Sequence, residues 1–94
     1  MRKSIIRCDR SGVLFGEVVN QKTQVVELKD VRKIYYWEGA FCVEGLAVSG
    51  TTKPNKCKLT QIVDSMTVTD AIQIIPCTAE AERILSAIPD WAFE

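Results

Sequence analysis

Residues 31–39, V-R-K-I-Y-Y-W-E-G, combine three aromatic side chains with two basic ones and end at a glycine. Side chains alternate between the two faces of a β-strand, so Arg32 and Tyr36 share one face and Trp37 lies on the other. Tyrosine and tryptophan favour strands and bury large areas in small cores. We therefore expect a strand here, around which the rest of the chain is organised.

Strand-like runs precede this segment, and each is bounded by residues typical of turns. Residues 2–8 and 13–19 are predicted to form a hairpin around the turn residues 9–12. Residues 24–29 then alternate apolar and polar side chains. The alternation slips by one position at Asp30, which is typical of a β-bulge or a tight bend.

Three further strands are predicted in the second half of the chain, at residues 59–63, 66–69 and 71–75. Asp64-Ser65 is interpreted as a turn between the first two of them. Pro76 ends the last one because proline cannot donate a backbone hydrogen bond to a neighbouring strand.

Two helices are predicted from apolar stripes at helical spacing. The first begins after Gly39 and ends near Gly50, on a stripe of Ala40, Phe41, Val43, Leu46 and Ala47. The second covers residues 78–88, with Thr78 as N-cap and a stripe of Ala81, Ile84, Leu85 and Ile88. The sequence thus predicts one α+β domain over residues 1–94, with an antiparallel sheet of five to six strands and two helices in the order β-β-β-α-β-β-α.

The charge is balanced in total but unevenly distributed along the chain. Residues 1–60 carry eleven basic and six acidic side chains, whereas residues 61–94 carry one basic and six acidic. One face of the folded domain could therefore bind anions, or opposite faces of two copies could pair. A pI of about 6.3, with no recognisable helix-turn-helix or RNA-binding motif, makes nucleic acid the weakest of the candidate partners.

The lack of the patterns expected of signal peptides and membrane spans, together with the cysteine usage, indicates a cytoplasmic protein. The basic start at Arg2 and Lys3 is not followed by the long apolar run of a signal peptide, and no segment reaches the roughly 20 apolar residues of a membrane span. The four cysteines are too far apart for a C-x-x-C pair, and the chain has no histidine. We expect reduced, mostly buried thiols and no metal or cofactor.

The candidate ligand site joins Arg32, Tyr36 and Trp37 with Lys53 and Lys56 of the polar residues 50–58. A base could stack on the tyrosine ring while the Arg32 guanidinium and the lysines meet phosphate, in which case Arg32→Ala would weaken binding without lowering the melting temperature. Two alternatives stay open: the aromatic rings can belong to the core, and the lysine-rich residues can form a solvated connection.

Two aromatic residues, Trp91 and Phe93, stand in the last four positions. Left in water they would expose a large apolar area, so we expect them to pack on the core or on a neighbouring subunit. A small core, this aromatic tail and the uneven charge together predict a homo-oligomer, most simply a dimer.

Three short motifs carry a resemblance to a known family. W-E-G-A at residues 37–40, K-P-N-K-C-K at 53–58 and I-I-P-C-T at 74–78 make the chain similar to small phage and prophage proteins grouped as a domain of unknown function. The resemblance implies the cytoplasm of an infected or lysogenic bacterium as the setting. Accessory proteins of this size act there against host defence, some by sequestering nucleotide immune signals.

A binding protein is the function that this sequence favours. Acid-base catalysis usually uses a histidine or paired carboxylates, and a cysteine nucleophile needs a basic partner, so we do not expect an enzyme. The expected ligand is a small nucleotide-like anion. The alternative is a module that binds and inhibits a host protein through its aromatic residues.

Overall fold

The computed structural model describes residues 3–90. Its strands are β1 Ser4–Cys8, β2 Val13–Lys22, β3 Val25–Tyr36, β4 Lys58–Leu59, β5 Val63–Val68 and β6 Ala71–Pro76. Its helices are α1 Val43–Ser49 and α2 Ala79–Ser86, with a 3₁₀ turn at Pro54–Lys56. The predicted α+β class and element order are confirmed, with the two-residue strand β4 ahead of the last strand pair.

The sheet is antiparallel and strongly curled. Its strand order is β4-β3-β2-β1-β6, and β5 pairs with the same strand, β3, as β4 does. β5 and β6 therefore lie at opposite ends of this order, although only Thr69 and Asp70 separate them in sequence. The sheet must curl until its two ends approach each other. A hydrogen bond of 3.1 Å from the Ala71 N–H to the Gln24 carbonyl joins β6 to the β2–β3 turn.

A β-bulge at Asp30 allows β3 to follow this curl. Asp30 has a positive φ of 50°, and the β2–β3 register shifts between Phe15 and Glu17. Gly16 lies opposite the bulge, where a Cβ atom would stand 2.8 Å from the Cβ of Val31. Any larger residue at position 16 would thus push the strands apart. The slip of alternation predicted at Asp30 is confirmed.

Two hydrophobic clusters lie on the two faces of the sheet. The first is covered by both helices and contains Ile5, Phe15, Ile34, Val43, Leu46, Ala47, Cys57, Leu59, Cys77, Ala81, Leu85 and Ile88. The second is enclosed by the curled sheet and contains Ile6, Cys8, Leu14, Val26, Leu28, Val31, Val68 and Ala71. Three of the four cysteines are buried and Cys42 is half-buried, as predicted, and none of these four residues, all within residues 3–90, forms a disulfide bond.

Helix α2 forms where the sequence predicts a helix, but it ends at Ser86, two residues before the predicted end at Ile88. The Thr78 hydroxyl accepts a hydrogen bond of 3.1 Å from the Ala81 N–H, which satisfies one of the free donors of the first turn. Ala81 and Leu85 are completely buried under the helix. Among residues 3–90, neither helix is long and apolar enough to cross a bilayer, since the longer one has eight residues.

Several strand boundaries differ from the prediction. The strand predicted at residues 59–63 is reduced to β4 at Lys58–Leu59, and Val63 instead begins β5. Asp64-Ser65 is not a turn but lies inside β5, where Ser65 pairs with Lys29 at the edge of the sheet. Polar residues are tolerated there because one face of an edge strand is in water. β2 continues past its last apolar residue to Lys22, because the hairpin turn is tighter than expected and begins at Thr23, which has a φ of 54°.

Helix α1 is shorter than predicted and begins at Val43 rather than after Gly39. Cys42 is its N-cap with an extended backbone, so the residues before it are not helical. Phe41 is therefore turned away from the apolar stripe and its side chain is fully exposed, at 101%. Placing Phe41 on the apolar stripe of this helix was wrong.

Candidate functional site

Tyr36, the last residue of β3, is held in one orientation by its neighbours. Its hydroxyl donates a hydrogen bond of 2.6 Å to Glu38 Oε2, and the Lys58 ammonium lies 5.5 Å from the centre of its ring. The bond to Glu38 is the main cause that raises the pKa of the phenol. Tyr36 as a residue is 44% exposed, so a neutral, oriented aromatic side chain remains accessible to a ligand.

The polar residues 50–58 are anchored to the turn that follows β3. The Thr51 hydroxyl donates to the Glu38 carbonyl, and the Thr52 N–H donates to the Gly39 carbonyl at 3.2 Å. Gly39 has a φ of 84°, and a Cβ atom there would lie 2.6 Å from the Lys53 backbone nitrogen. Only glycine allows this approach. Residues 52–56 are exposed, in agreement with the solvated connection that was one alternative, but the segment is bonded to the turn after β3 and contains the 3₁₀ turn.

The end of β3 and the polar residues 50–58 border a polar cleft, which we call the Tyr36 cleft. It has a volume of about 370 Å³ and is lined by Tyr36, Glu38, Asn55, Lys56, Cys57 and Lys58. Two ammonium groups and one carboxylate give it a net positive charge. The carboxylate, on Glu38, already accepts the tyrosine hydroxyl. The cleft therefore offers an aromatic face beside two cations, an arrangement suited to a planar anion.

The structure brings together two of the five residues that the sequence selected. Tyr36 and Lys56 line the Tyr36 cleft. Lys53 caps the 3₁₀ turn, where its backbone N–H donates to the Thr51 hydroxyl at 3.0 Å. Trp37 is half-buried and packs against the first hydrophobic cluster, in agreement with the structural alternative.

Arg32 lies in the interior and not on the same surface as the cleft. Only 2% of it is exposed, and its guanidinium donates to the carbonyls of Thr60 at 2.9 Å and Leu85 at 3.3 Å. It also forms an ion pair of 3.2 Å with Asp90. Burial lowers the pKa of the guanidinium, while Asp90 acts in the opposite direction. The expectation that Arg32 stands exposed beside Tyr36 was wrong, because α2 covers this part of β3.

Sequence reasoning missed four lining residues of the cleft, Glu38, Asn55, Cys57 and Lys58. The last three lie in the K-P-N-K-C-K motif, which contains the selected Lys53 and Lys56, and Glu38 lies in the W-E-G-A motif. Lys58 reaches the tyrosine because β4 pairs it directly with Tyr36. A strand of two residues has no periodicity, so nothing in the sequence could reveal this pairing.

A second, mainly apolar depression adjoins the cleft, and we call it the α2 groove. It has a volume of about 590 Å³ and shares Asn55 and Cys57 with the cleft. Its apolar wall is formed by Pro54, Ile84, Ala87 and Ile88, with Arg83 and Asp90 also lining it. Across residues 3–90, no group of three or more acidic or cysteine side chains is placed to hold a metal ion.

Comparison with protein families gives one assignment. A family described as a domain of unknown function (DUF6948) matches residues 1–85. The chain belongs to this family. All residues of the Tyr36 cleft lie within the matched part of the DUF6948 domain, whereas the α2 groove extends beyond it to Asp90. Neither the curated proteins nor the solved structures contain a match.

Proposed function

We propose that this DUF6948 protein is a phage-encoded binding protein that sequesters a small nucleotide-like anion in the Tyr36 cleft. The proposed setting is the cytoplasm of a bacterial host, where the ligand would be a nucleotide-derived immune signal. The observation that carries the proposal is the accessible Tyr36 ring, fixed by Glu38 at the wall of a cleft that also holds Lys56 and Lys58.

The tyrosine supplies a stacking surface at low entropic cost. Its hydroxyl is bonded to Glu38, so little rotamer freedom remains to be lost when a base stacks on the exposed ring. Stacking of a base on an aromatic side chain contributes about 1 to 3 kcal/mol. The Lys58 ammonium sits 5.5 Å from the ring centre and can turn from the ring towards a bound phosphate.

The lysines supply the anion-binding half of the site. Lys56 is exposed and, within residues 3–90, takes part in no ion pair. Asn55, next to it, adds an amide that can donate a hydrogen bond. A charge-assisted hydrogen bond to a phosphate contributes about 1.5 to 3 kcal/mol. Together these groups favour binding, and we propose sequestration rather than turnover.

A homo-oligomer remains part of this proposal. It is supported by the small size of the domain and by the unequal charge of its two halves. Light scattering at tens of micromolar protein measures the mass directly. A dimer or larger assembly is expected, and a monomer would remove this part of the proposal.

Isothermal calorimetry against cyclic nucleotides, cyclic dinucleotides and ADP-ribose tests the binding. Lys56→Ala is expected to weaken the affinity for the ligand that binds by about tenfold or more, and Tyr36→Leu by a similar factor. Lys22→Ala, which removes the same charge at the exposed β2–β3 hairpin, is the matched control and should bind like wild type. Absence of binding across the panel would reject the proposal.

One observation favours the alternative of a protein-binding module. Phe41, which precedes the N-cap of α1, is fully exposed, and Val48 near the end of α1 is 58% exposed. Between them Gly45 has no heavy atom within 4 Å of the place of a Cβ, so this face is open. Native mass spectrometry of protein purified from bacteria separates the two functions. A co-purified nucleotide supports the cleft, and a polypeptide that is lost in Phe41→Ser supports the module.

A further inference from the structure

The α2 groove is a concave apolar surface at the point where the described chain ends. Its wall is formed by Ile84 of α2, by Ala87 and Ile88 directly after the helix, and by Pro54 of the facing 3₁₀ turn. A volume of about 590 Å³ lies within the range of pockets that enclose drug-sized groups. Ala87 is exposed, so the groove is open to solvent in residues 3–90.

Asp90, the last described residue, itself lines this groove. The Arg32 guanidinium holds its carboxylate at 3.2 Å, and Pro89 restricts the backbone just before it. The chain therefore continues from a point fixed on the groove. Residues 91–94 read W-A-F-E and lie outside the described part. An extended chain covers roughly 3.5 Å per residue, so all four side chains are within about 14 Å of Asp90.

The chemistry of these four residues matches that of the groove. A tryptophan side chain buries about 150 to 250 Å² when it is enclosed, which the apolar wall on α2 can provide. Arg83 also lines the groove and can meet the acidic residue that ends the sequence, or lie over an aromatic ring.

We propose that the α2 groove is the docking site of the chain's own residues 91–94, with Trp91 seated against Ile84 and Ala87. Docking covers the apolar wall of α2. The proposal does not depend on what the cleft binds.

The fluorescence of a single tryptophan tests this docking. The chain has two tryptophans, so the Trp37→Phe variant reports on Trp91 alone. The Trp91 emission of this variant should be blue-shifted. Acrylamide should quench it several-fold less than in the double variant that also carries Ala87→Glu, which places a charge in the groove. Ser86→Glu is the matched control because Ser86 is exposed, adjacent and outside the groove lining, and it should leave both signals unchanged.

The proposal is overturned if acrylamide quenches Trp91 as strongly as free tryptophan in Trp37→Phe alone and in its combinations with Ala87→Glu and Ser86→Glu. Quenching that weakens as protein concentration rises would also overturn it, because the groove would then hold the tail of a second copy. If Trp37→Phe does not fold, the same signal is obtained as the difference between wild type and Trp91→Phe. That difference should show the same blue-shifted, poorly quenched emission, which Ala87→Glu again abolishes.

Discussion

Replacing Arg32 with alanine is expected to destabilise the fold strongly. The substitution leaves the buried Leu85 carbonyl without this donor, which costs about 1 to 3 kcal/mol, whereas the partly buried Thr60 carbonyl can bond to water instead. The two lost methylene groups of the buried stem add about 0.8 kcal/mol each. The ion pair adds at most about 1 kcal/mol, because Asp90 is 61% exposed. We expect a total loss of about 3 to 5 kcal/mol.

For a chain of this length the free energy of unfolding is about 5 to 14 kcal/mol, so the loss is a large fraction of it. One kcal/mol lowers the melting temperature of such a domain by about 4 to 8 °C, so Arg32→Ala should melt at least about 12 °C below wild type. Urea unfolding followed by circular dichroism should show a lower midpoint with an unchanged slope.

Two further substitutions show whether the loss of stability comes from the ion pair or from the buried hydrogen bonds of the guanidinium. Asp90→Asn removes only the exposed partner and should cost less than about 1 kcal/mol. Arg32→Lys keeps the charge but replaces the planar fork by a single ammonium group, so its stability should lie between those of wild type and Arg32→Ala. If Arg32→Ala melts within about 2 °C of wild type, the guanidinium is not a buried structural group and our assignment of it fails.

Leu85→Ala should cost about 2 to 4 kcal/mol in urea unfolding, because Leu85 is completely buried between α2 and the sheet; a loss below about 1 kcal/mol would contradict this packing. The Ser11 hydroxyl, with backbone N–H groups of the same turn, lowers the pKa of Asp70 from its ordinary value of 3.8. The stability from this group is present above the ordinary pKa and lost as pH falls through the lowered one, so Asp70→Asn should flatten the decline in urea midpoint between about pH 5 and pH 2. Burial raises the pKa of the Cys8 thiol to about 11, so mass spectrometry after alkylation of the native protein near neutral pH should find Cys42 modified first and Cys8 only after unfolding.

The sequence predicts the elements of this fold well because their periodicities are local. The stripe from Ala81 to Ile88 marks α2, and the slip at Asp30 marks the bulge. Asp64-Ser65 was misassigned because turn-forming residues are equally acceptable on the wet face of an edge strand. Phe41 was misassigned because the N-cap at Cys42 decides where the helix begins, and cysteine carries no capping signal.

The candidate site could be predicted only in part, since it depends on which strands meet. Tyr36 and Lys56 were found from their chemistry, but the contact with Lys58 arises from a two-residue strand. Arg32 was misplaced because an isolated arginine on a strand usually points to solvent. Only the packing of α2 over β3, together with three acceptors for its guanidinium, allows it to be buried.

Amide NMR spectra recorded during a ligand titration test the central proposal most directly, because they locate the bound molecule. With the nucleotide that binds in calorimetry, the largest shifts should fall on residues 36–38 and 55–58 around the Tyr36 cleft. Lys56→Ala should reduce these shifts at the same ligand concentration, and Lys22→Ala should leave them unchanged. Shifts centred elsewhere, for example on α1 around Val48, would contradict the assignment of the Tyr36 cleft as the binding site.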